Sequence, residues 1–365
     1  MSPAALRRAI GQLLIAGFNG HQIPIELKSI AREFGLGGVI LFARNVADPE
    51  QVAELCFNAA QLIPEAPAWA SVDQEGGRVA RLRAPFTEWP PMATLGRSGD
   101  LALAGRFARA LALELRAVGI TLDYAPVLDV HTNEKNPVIG DRALAGRAAE
   151  AAALGAAIVR ALQDEHVAAC GKHFPGHGDT SIDSHLELPL VEHPPERLRE
   201  LEFLPFRAAI EARVAAMMTA HVLVPAFDER RPATLSKRIV TGILRQELHF
   251  EGVILSDDLE MKALANDYSV SESAVLAIEA GCDGILICGG DSEVQAAALE
   301  ALVHAVEEER IPYARIEDAI RRQQRAKEQF LAMPVAPRPL AAKALRQLLG
   351  RDEHRLIADE MARFA

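Results

Sequence analysis

Residues 167–180 read Val167-Ala168-Ala169-Cys170-Gly171-Lys172-His173-Phe174-Pro175-Gly176-His177-Gly178-Asp179-Thr180. The first part is a short uncharged apolar run, as expected of a strand buried on both faces. It breaks into a Gly/Pro turn that continues to Asp183-Ser184-His185, so that residues 172–185 hold one Lys, three His and two Asp. A buried strand ending in a turn crowded with titratable groups is the layout of a functional loop on a rigid scaffold.

Working outward, the same kind of run recurs. Apolar stretches lie at 13–17, 38–42, 68–72, 120–128, 167–171, 214–219, 252–256 and 284–288, which makes eight. Segments of helical period separate them. The clearest opens at Asp100, a good N-cap, and sets Ala104, Phe107, Ala108, Leu111, Leu115 and Val118 on one face before Gly119. Others span 49–62, 144–165, 196–212, 236–248, 270–280 and 291–308. Strand and helix alternate with no linker before residue 330, which predicts a single-domain (β/α)8 TIM-type barrel over 1–330. A doubly wound open sheet is the rival, but it gathers its site near one switch point. Residues 331–340 contain three prolines and predict a stiff connector. The remainder, 341–363, predicts an amphipathic helix packed outside the barrel.

Half of the 365 residues are hydrophobic and 24% are charged, which suits a globular chain with a large core. The net charge of −11 opposes nucleic acid or an anionic membrane as a main partner. Cys56, Cys170, Cys282 and Cys288 form no CxxC pair and sit in apolar or helical contexts, as reduced cysteines of a cytosolic protein do. The run 13–18 is short for a signal peptide, and no stretch approaches the about 20 apolar residues of a membrane helix. A cytoplasmic monomer or weak dimer is expected.

Barrel enzymes place their sites at the C-terminal ends of the strands. Here the third strand ends in Asp73-Gln74-Glu75-Gly76-Gly77-Arg78, followed by Arg81. The fourth runs toward Asp129 and then Ile139-Gly140-Asp141-Arg142. The fifth ends in Lys172-His173, the sixth in Thr219-Ala220-His221 and the seventh in Ser256-Asp257-Asp258. Ionisable groups thus recur at five consecutive ends.

The stretches KHFPGHGDT (172–180) with DSH (183–185), DQEGGRVAR (73–81), IGDR (139–142) and GVILSDDLEM (252–261) resemble the family 3 glycoside hydrolases. Within these they are similar to the single-domain bacterial β-N-acetylglucosaminidases of cell-wall recycling. The resemblance covers roughly residues 10–330, and its family fold is a (β/α)8-type barrel. It implies Asp257 as nucleophile, with Asp258 the local rival as nucleophile or else a cap or supporting acceptor. It implies His185 as general acid/base, held by Asp183, in place of the second carboxylate most glycosidases use. It also implies that Asp73, Arg81, Arg142, Lys172 and His173 grip N-acetylglucosamine, with no metal and no cofactor. His177 and Asp179 read as braces of the loop, His221 as a pocket wall. Trp69 reads as core; Trp89 could stack on a sugar.

Other functions fit parts of the pattern. A metal-dependent amidohydrolase also carries His, Lys and Asp on a barrel rim, but begins with a His-x-His pair where this chain offers only His21. A non-catalytic sugar-binding barrel would not need Asp257 with Asp183 and His185. A β-N-acetylglucosaminide phosphorylase on the same scaffold is the nearest alternative, since a His acid/base tolerates an anionic acceptor.

Overall fold

The computed structural model of the chain describes residues 2–63, 66–181, 184, 187–331 and 338–365. Eight parallel strands close into a barrel in sequence order: β1 (Leu14–Ala16), β2 (Gly38–Leu41), β3 (Trp69–Val72), β4 (Leu122–Asp123), β5 (Ala168–Phe174), β6 (Ala216–Thr219), β7 (Val253–Asp258) and β8 (Gly284–Ile287). Each apolar run of the sequence holds one of them or, for β5 and β7, begins it. The expected strand over 120–128 shortens to two paired residues, because Pro126 has no N–H to donate to a neighbour.

Helices follow the strands around the outside, among them Pro49–Ala60, Leu101–Ala117, Ala148–Asp164, Val270–Ala280 and Ser292–Glu307. Their starts are set locally. The Asp100 carboxylate accepts from the backbone of Ala102 at 2.8 Å and Leu103 at 3.1 Å, and Asp48 caps the helix that Pro49 opens. No helix among the described residues is long and apolar enough to cross a membrane.

Two apolar layers result from the period of two along each strand. Leu14, Val39, Leu41, Ala70, Val72, Ala169, Met217, Ile254 and Ile285 face outward and pack under the helices. Ile15, Ile40, Trp69, Leu122, Tyr124, Ala168, Cys170, Ala216, Met218, Val253, Leu255 and Leu286 fill the interior. Helix Tyr313–Phe330 closes the bottom: Phe330 joins the interior cluster and Trp69 donates to Gln323 at 3.0 Å. The interior is therefore a packed plug among the described residues, with a cavity above it.

The alternation also decides which side chains stand above the plug. Continuing inward-facing positions upward gives Asp73 after Trp69 and Ser71, Lys172 after Ala168 and Cys170, and Asp257 after Val253 and Leu255. The pairing register shifts twice, between Gly171 and Phe174 on β5 and between Leu255 and Asp258 on β7. Irregularities of this kind re-aim side chains at barrel rims.

The segment after residue 338 forms two helices, Ala342–Arg346 and Asp352–Ala362, rather than one helix over 341–363. Gly350 breaks the run. Its φ of +53° suits glycine, and a Cβ there would stand 2.3 Å from the carbonyl oxygen of Pro85.

Candidate active site

A cavity of about 290 Å³ opens at the C-terminal end of the barrel. That is the small end of ligand pockets, fitting one sugar ring rather than a chain. Asp73, Arg81, Arg142, Lys172, His173 and Asp257 all line it, so six residues expected to act together stand around one space. Ile40, Met218 and Leu286, the top of the apolar plug, form its floor.

Lys172 is the centre of the polar wall. It is 2% exposed, and its Nζ lies 2.7 Å from Asp73 Oδ1 and 2.6 Å from Glu75 Oε1. Glu75 in turn receives a two-bond fork from Arg142, Nε at 2.9 Å and Nη2 at 2.8 Å. Burial alone would push the Glu75 carboxyl up, but Arg142 and Lys172 outweigh it and hold it far below the usual carboxylate range. The same contacts raise Lys172 and Arg142 against their own burial, so these groups stay ionised. Arg81 completes the row, 3.5 Å from Asp73 Oδ2. Fixed charges of this kind can hold sugar hydroxyls bidentately without having to reorient. The sequence motif contains Glu75 but gives it no role. It lies past the end of β3, in the turn where the Glu75 and Gly76 N–H groups both donate to the Val79 carbonyl oxygen, so strand parity does not place it and only the fold brings it under Lys172.

His173 is fixed by a carboxylate in the segment that follows β4. Its Nδ1 lies 2.7 Å from Asp129 Oδ2, and Asp129 Oδ1 accepts the His177 backbone N–H at 2.7 Å. Burial pushes Asp129 up, yet the His173 ring and His177 outweigh it and hold this carboxyl below its ordinary value. Gly178 lets the loop pass this close, since a Cβ there would meet the Val130 carbonyl oxygen at 1.9 Å.

His177 lines the cavity and is hydrogen-bonded within the loop. The Thr180 hydroxyl donates to the His177 carbonyl oxygen at 3.1 Å, so the ring is assigned as donating from Nδ1 to Thr180 Oγ1 (2.6 Å) and accepting at Nε2 from Ser184 (3.0 Å). That is the neutral tautomer. Burial agrees, depressing the imidazole from 6.5 to about 4. An unfolded chain therefore binds a proton here that the folded chain refuses. The contribution to stability is complete above about pH 6.5 and is lost as pH falls toward 4, on the order of 3 kcal/mol in all. Thermal unfolding of wild type should weaken over that window, and His177→Gln should show a flatter dependence. Parallel curves would remove His177 as the acid-sensitive group.

Asp257 and Asp258 both reach the cavity because of the register shift on β7. Their environments differ. Burial pushes Asp257 up, but His221, His173, the Asp258 backbone N–H (2.8 Å) and Lys172 outweigh it, leaving the carboxyl below the usual range. Asp258 accepts from Glu260 N at 3.2 Å and Cys288 N at 3.1 Å, yet burial, with Glu260 and Asp257 adding to it, raises it to about 7. The two environments thus push neighbouring carboxyls in opposite directions, the pattern that can separate an anion from a proton holder. His221 is buried beneath them, 2.9 Å from the Asp258 carbonyl oxygen and 2.8 Å from Thr234 Oγ1.

Asp183 and His185 lie outside the described residues. Ser184, between them in the chain, lines the cavity. Asp179 accepts from Thr132 at 2.6 Å and pairs with His193, so it braces the loop from outside the cavity. Trp89 packs edge-on against Phe107 with ring centroids 5.0 Å apart, and it is 5% exposed, which excludes sugar stacking in this conformation.

The chain matches the glycosyl hydrolase family 3 N terminal domain over residues 5–326. A β-hexosaminidase of Thiobacillus denitrificans is 42% identical over 261 residues, 69% of this chain and 71% of that protein. The structure of a glycoside hydrolase family 3 β-N-acetylglucosaminidase from Paenibacillus sp. str. FPU-7 superposes with a TM-score of 0.94 at 44% identity, over 98% of this chain and 68% of that one. NagZ from Neisseria gonorrhoeae, solved both native and with N-trifluoroacetyl-D-glucosamine, superposes with a TM-score of 0.76 at 32% identity over 97% of each chain. With a matching barrel, motifs and rim charges, the chain belongs to glycosyl hydrolase family 3, in its branch of β-N-acetylhexosaminidases.

Proposed function

We propose that this protein is a retaining exo-β-N-acetylglucosaminidase that removes terminal N-acetylglucosamine from β-linked glycosides, with cell-wall muropeptides inside the cell as its natural substrates. One observation supports the mechanism: Asp257 stands on the wall of a cavity sized for one sugar, where His221, His173 and Lys172 favour its ionised form, while burial raises the neighbouring Asp258 carboxyl. Asp257 attacks the anomeric carbon while His185, oriented by Asp183, gives a proton to the leaving oxygen. A glycosyl-enzyme ester forms. His185 then takes a proton from water, which attacks the same carbon and releases Asp257, so the configuration is retained. The place of Ser184 on the cavity wall supports assigning its two neighbours to this step. Asp73, Arg81, Arg142, Lys172 and His173 hold the sugar, with Lys172 and His173 fixed from behind by Glu75 and Asp129. The substrate assignment is supported by the names of the relatives and by the N-acylated glucosamine bound to NagZ of N. gonorrhoeae.

The test is an aryl β-N-acetylglucosaminide assayed beside the matching β-glucoside. A far higher kcat/KM on the first is expected, and equal or reversed rates would withdraw the substrate class. Running the assay in phosphate and identifying the product separates hydrolysis from phosphorolysis.

The acid/base assignment has its own signature. His185→Ala should lose about 10²- to 10⁴-fold on poor alkyl leaving groups and far less on nitrophenyl, which departs without a proton. A uniform loss across leaving groups would make His185 structural.

A further inference from the structure

The chain beyond residue 338 docks on the barrel by buried polar contacts that converge on one carboxylate. Glu114, on helix Leu101–Ala117, is 2% exposed. Its Oε1 accepts from the Gly350 backbone at 2.9 Å, from His354 Nδ1 at 2.7 Å and from the Thr87 hydroxyl at 2.6 Å, while Oε2 accepts from the Thr87 backbone at 2.8 Å. Two stretches far apart in sequence thus share a single buried anion. Thr87 belongs to the loop after β3, whose beginning carries Asp73 and Arg81.

That loop is held together along its length. Trp89, two residues on from Thr87, accepts at its carbonyl oxygen from Gly77 N at 2.8 Å and packs on Phe107. Gln74 Oε1 accepts from the backbones of Arg81 at 2.8 Å and Leu82 at 3.0 Å, and Gln74 Nε2 donates to the Leu82 carbonyl oxygen at 2.9 Å. Gly350 presses against the Pro85 carbonyl oxygen. Thr87 and Arg81, on the cavity wall, thus belong to one loop tied by the Gly77–Trp89 backbone bond and by the Gln74 side chain.

We propose that the C-terminal segment 345–361 is a positioning element for sugar binding: through Gly350 and His354 on Glu114 it fixes the Thr87 side of the loop that presents Asp73 and Arg81 to the cavity. The cavity keeps its shape only while the segment is docked. Arg106–Glu360 and Arg346–Glu50, two-bond pairs on the surface, hold the segment down on either side.

The experiment compares His354→Ala, His354→Asn and Thr87→Val in the full-length protein. His354→Ala should raise KM for an aryl β-N-acetylglucosaminide about five- to tenfold with kcat within about twofold of wild type, because ground-state contacts to the sugar are lost and the reacting groups are untouched. Asn places an amide N–H near the Nδ1 position, so His354→Asn should recover most of the KM. Trp89 emission should shift to the red in His354→Ala and return with saturating N-acetylglucosamine, since a ligand that needs the ordered loop restores it. Thr87→Val weakens the same carboxylate from the loop side and should show the same split; it carries the test if His354→Ala does not accumulate. An unchanged KM in the variants, whatever their Tm, overturns the proposal and leaves the segment a structural prop. The red shift in His354→Ala needs neither turnover nor a sugar, so it survives a failure of the substrate assignment, which wild type alone would reveal.

Discussion

Asp257→Ala is expected to abolish turnover on every substrate, by on the order of 10⁴-fold or more, as removal of an attacking group does. Two ways of hydrolysing this sugar are separated by that variant and by trapping. In one, the substrate's own acetamido oxygen attacks the anomeric carbon, and a pair of carboxyls merely orients and polarises it. The Asp257-Asp258 doublet could pass for such a pair. The electrostatics weigh toward direct attack: a nucleophile must be ionised when substrate arrives, and Asp257 is held so by His221, His173 and Lys172 against its burial. Asp258, raised to about 7, is a poor nucleophile below neutrality. A slow fluoro-sugar substrate should therefore leave a mass adduct on the peptide containing residue 257. Absence of the adduct, together with tight binding of a thiazoline-type inhibitor, would demote Asp257 to an orienting group.

The same doublet shows where reading the chain by itself stops. Eight buried parallel strands were visible as eight apolar runs because each must be covered on both faces, and that demand acts on every residue of the strand. The period of two then projects Asp73, Lys172 and Asp257 into the barrel above Ser71, Cys170 and Leu255. Neither signal foresees the register shifts on β5 and β7, which depend on pairing with a neighbouring strand and which bring His173 and Asp258 to the same cavity as their neighbours. Glu75 and Asp129 escaped assignment for a related reason. They contact Lys172 and His173, partners distant in the chain, and a place at a strand end does not by itself say which neighbour each will hold. Motif resemblance supplied residue types and roles; distances and protonation states needed the fold.

Lys172→Met should cost more than any sugar contact alone would suggest. With Nζ removed, Glu75 keeps its fork from Arg142, but Asp73 is left with Arg81 at 3.5 Å. Two carboxylates then share less positive charge in a largely water-excluded wall, and breaking a buried pair from one side costs about 3–5 kcal/mol. Urea or thermal unfolding should register that loss, and kcat/KM should fall about 10²-fold or more because the cation facing the sugar is gone. A second substitution separates the two consequences. Glu75→Gln removes one of the excess negative charges, so Lys172→Met/Glu75→Gln should regain much of the stability, a coupling expected between groups in direct contact. Activity should not return with it, since a neutral amide at position 75 restores the charge balance behind the wall and leaves nothing in front. If the double variant recovers both, Lys172 is a structural counter-ion alone and the grip on the sugar belongs to Asp73, Arg81 and His173. If Lys172→Met is as stable as wild type, the pairing at 2.7 Å and 2.6 Å does not govern the stability of this wall.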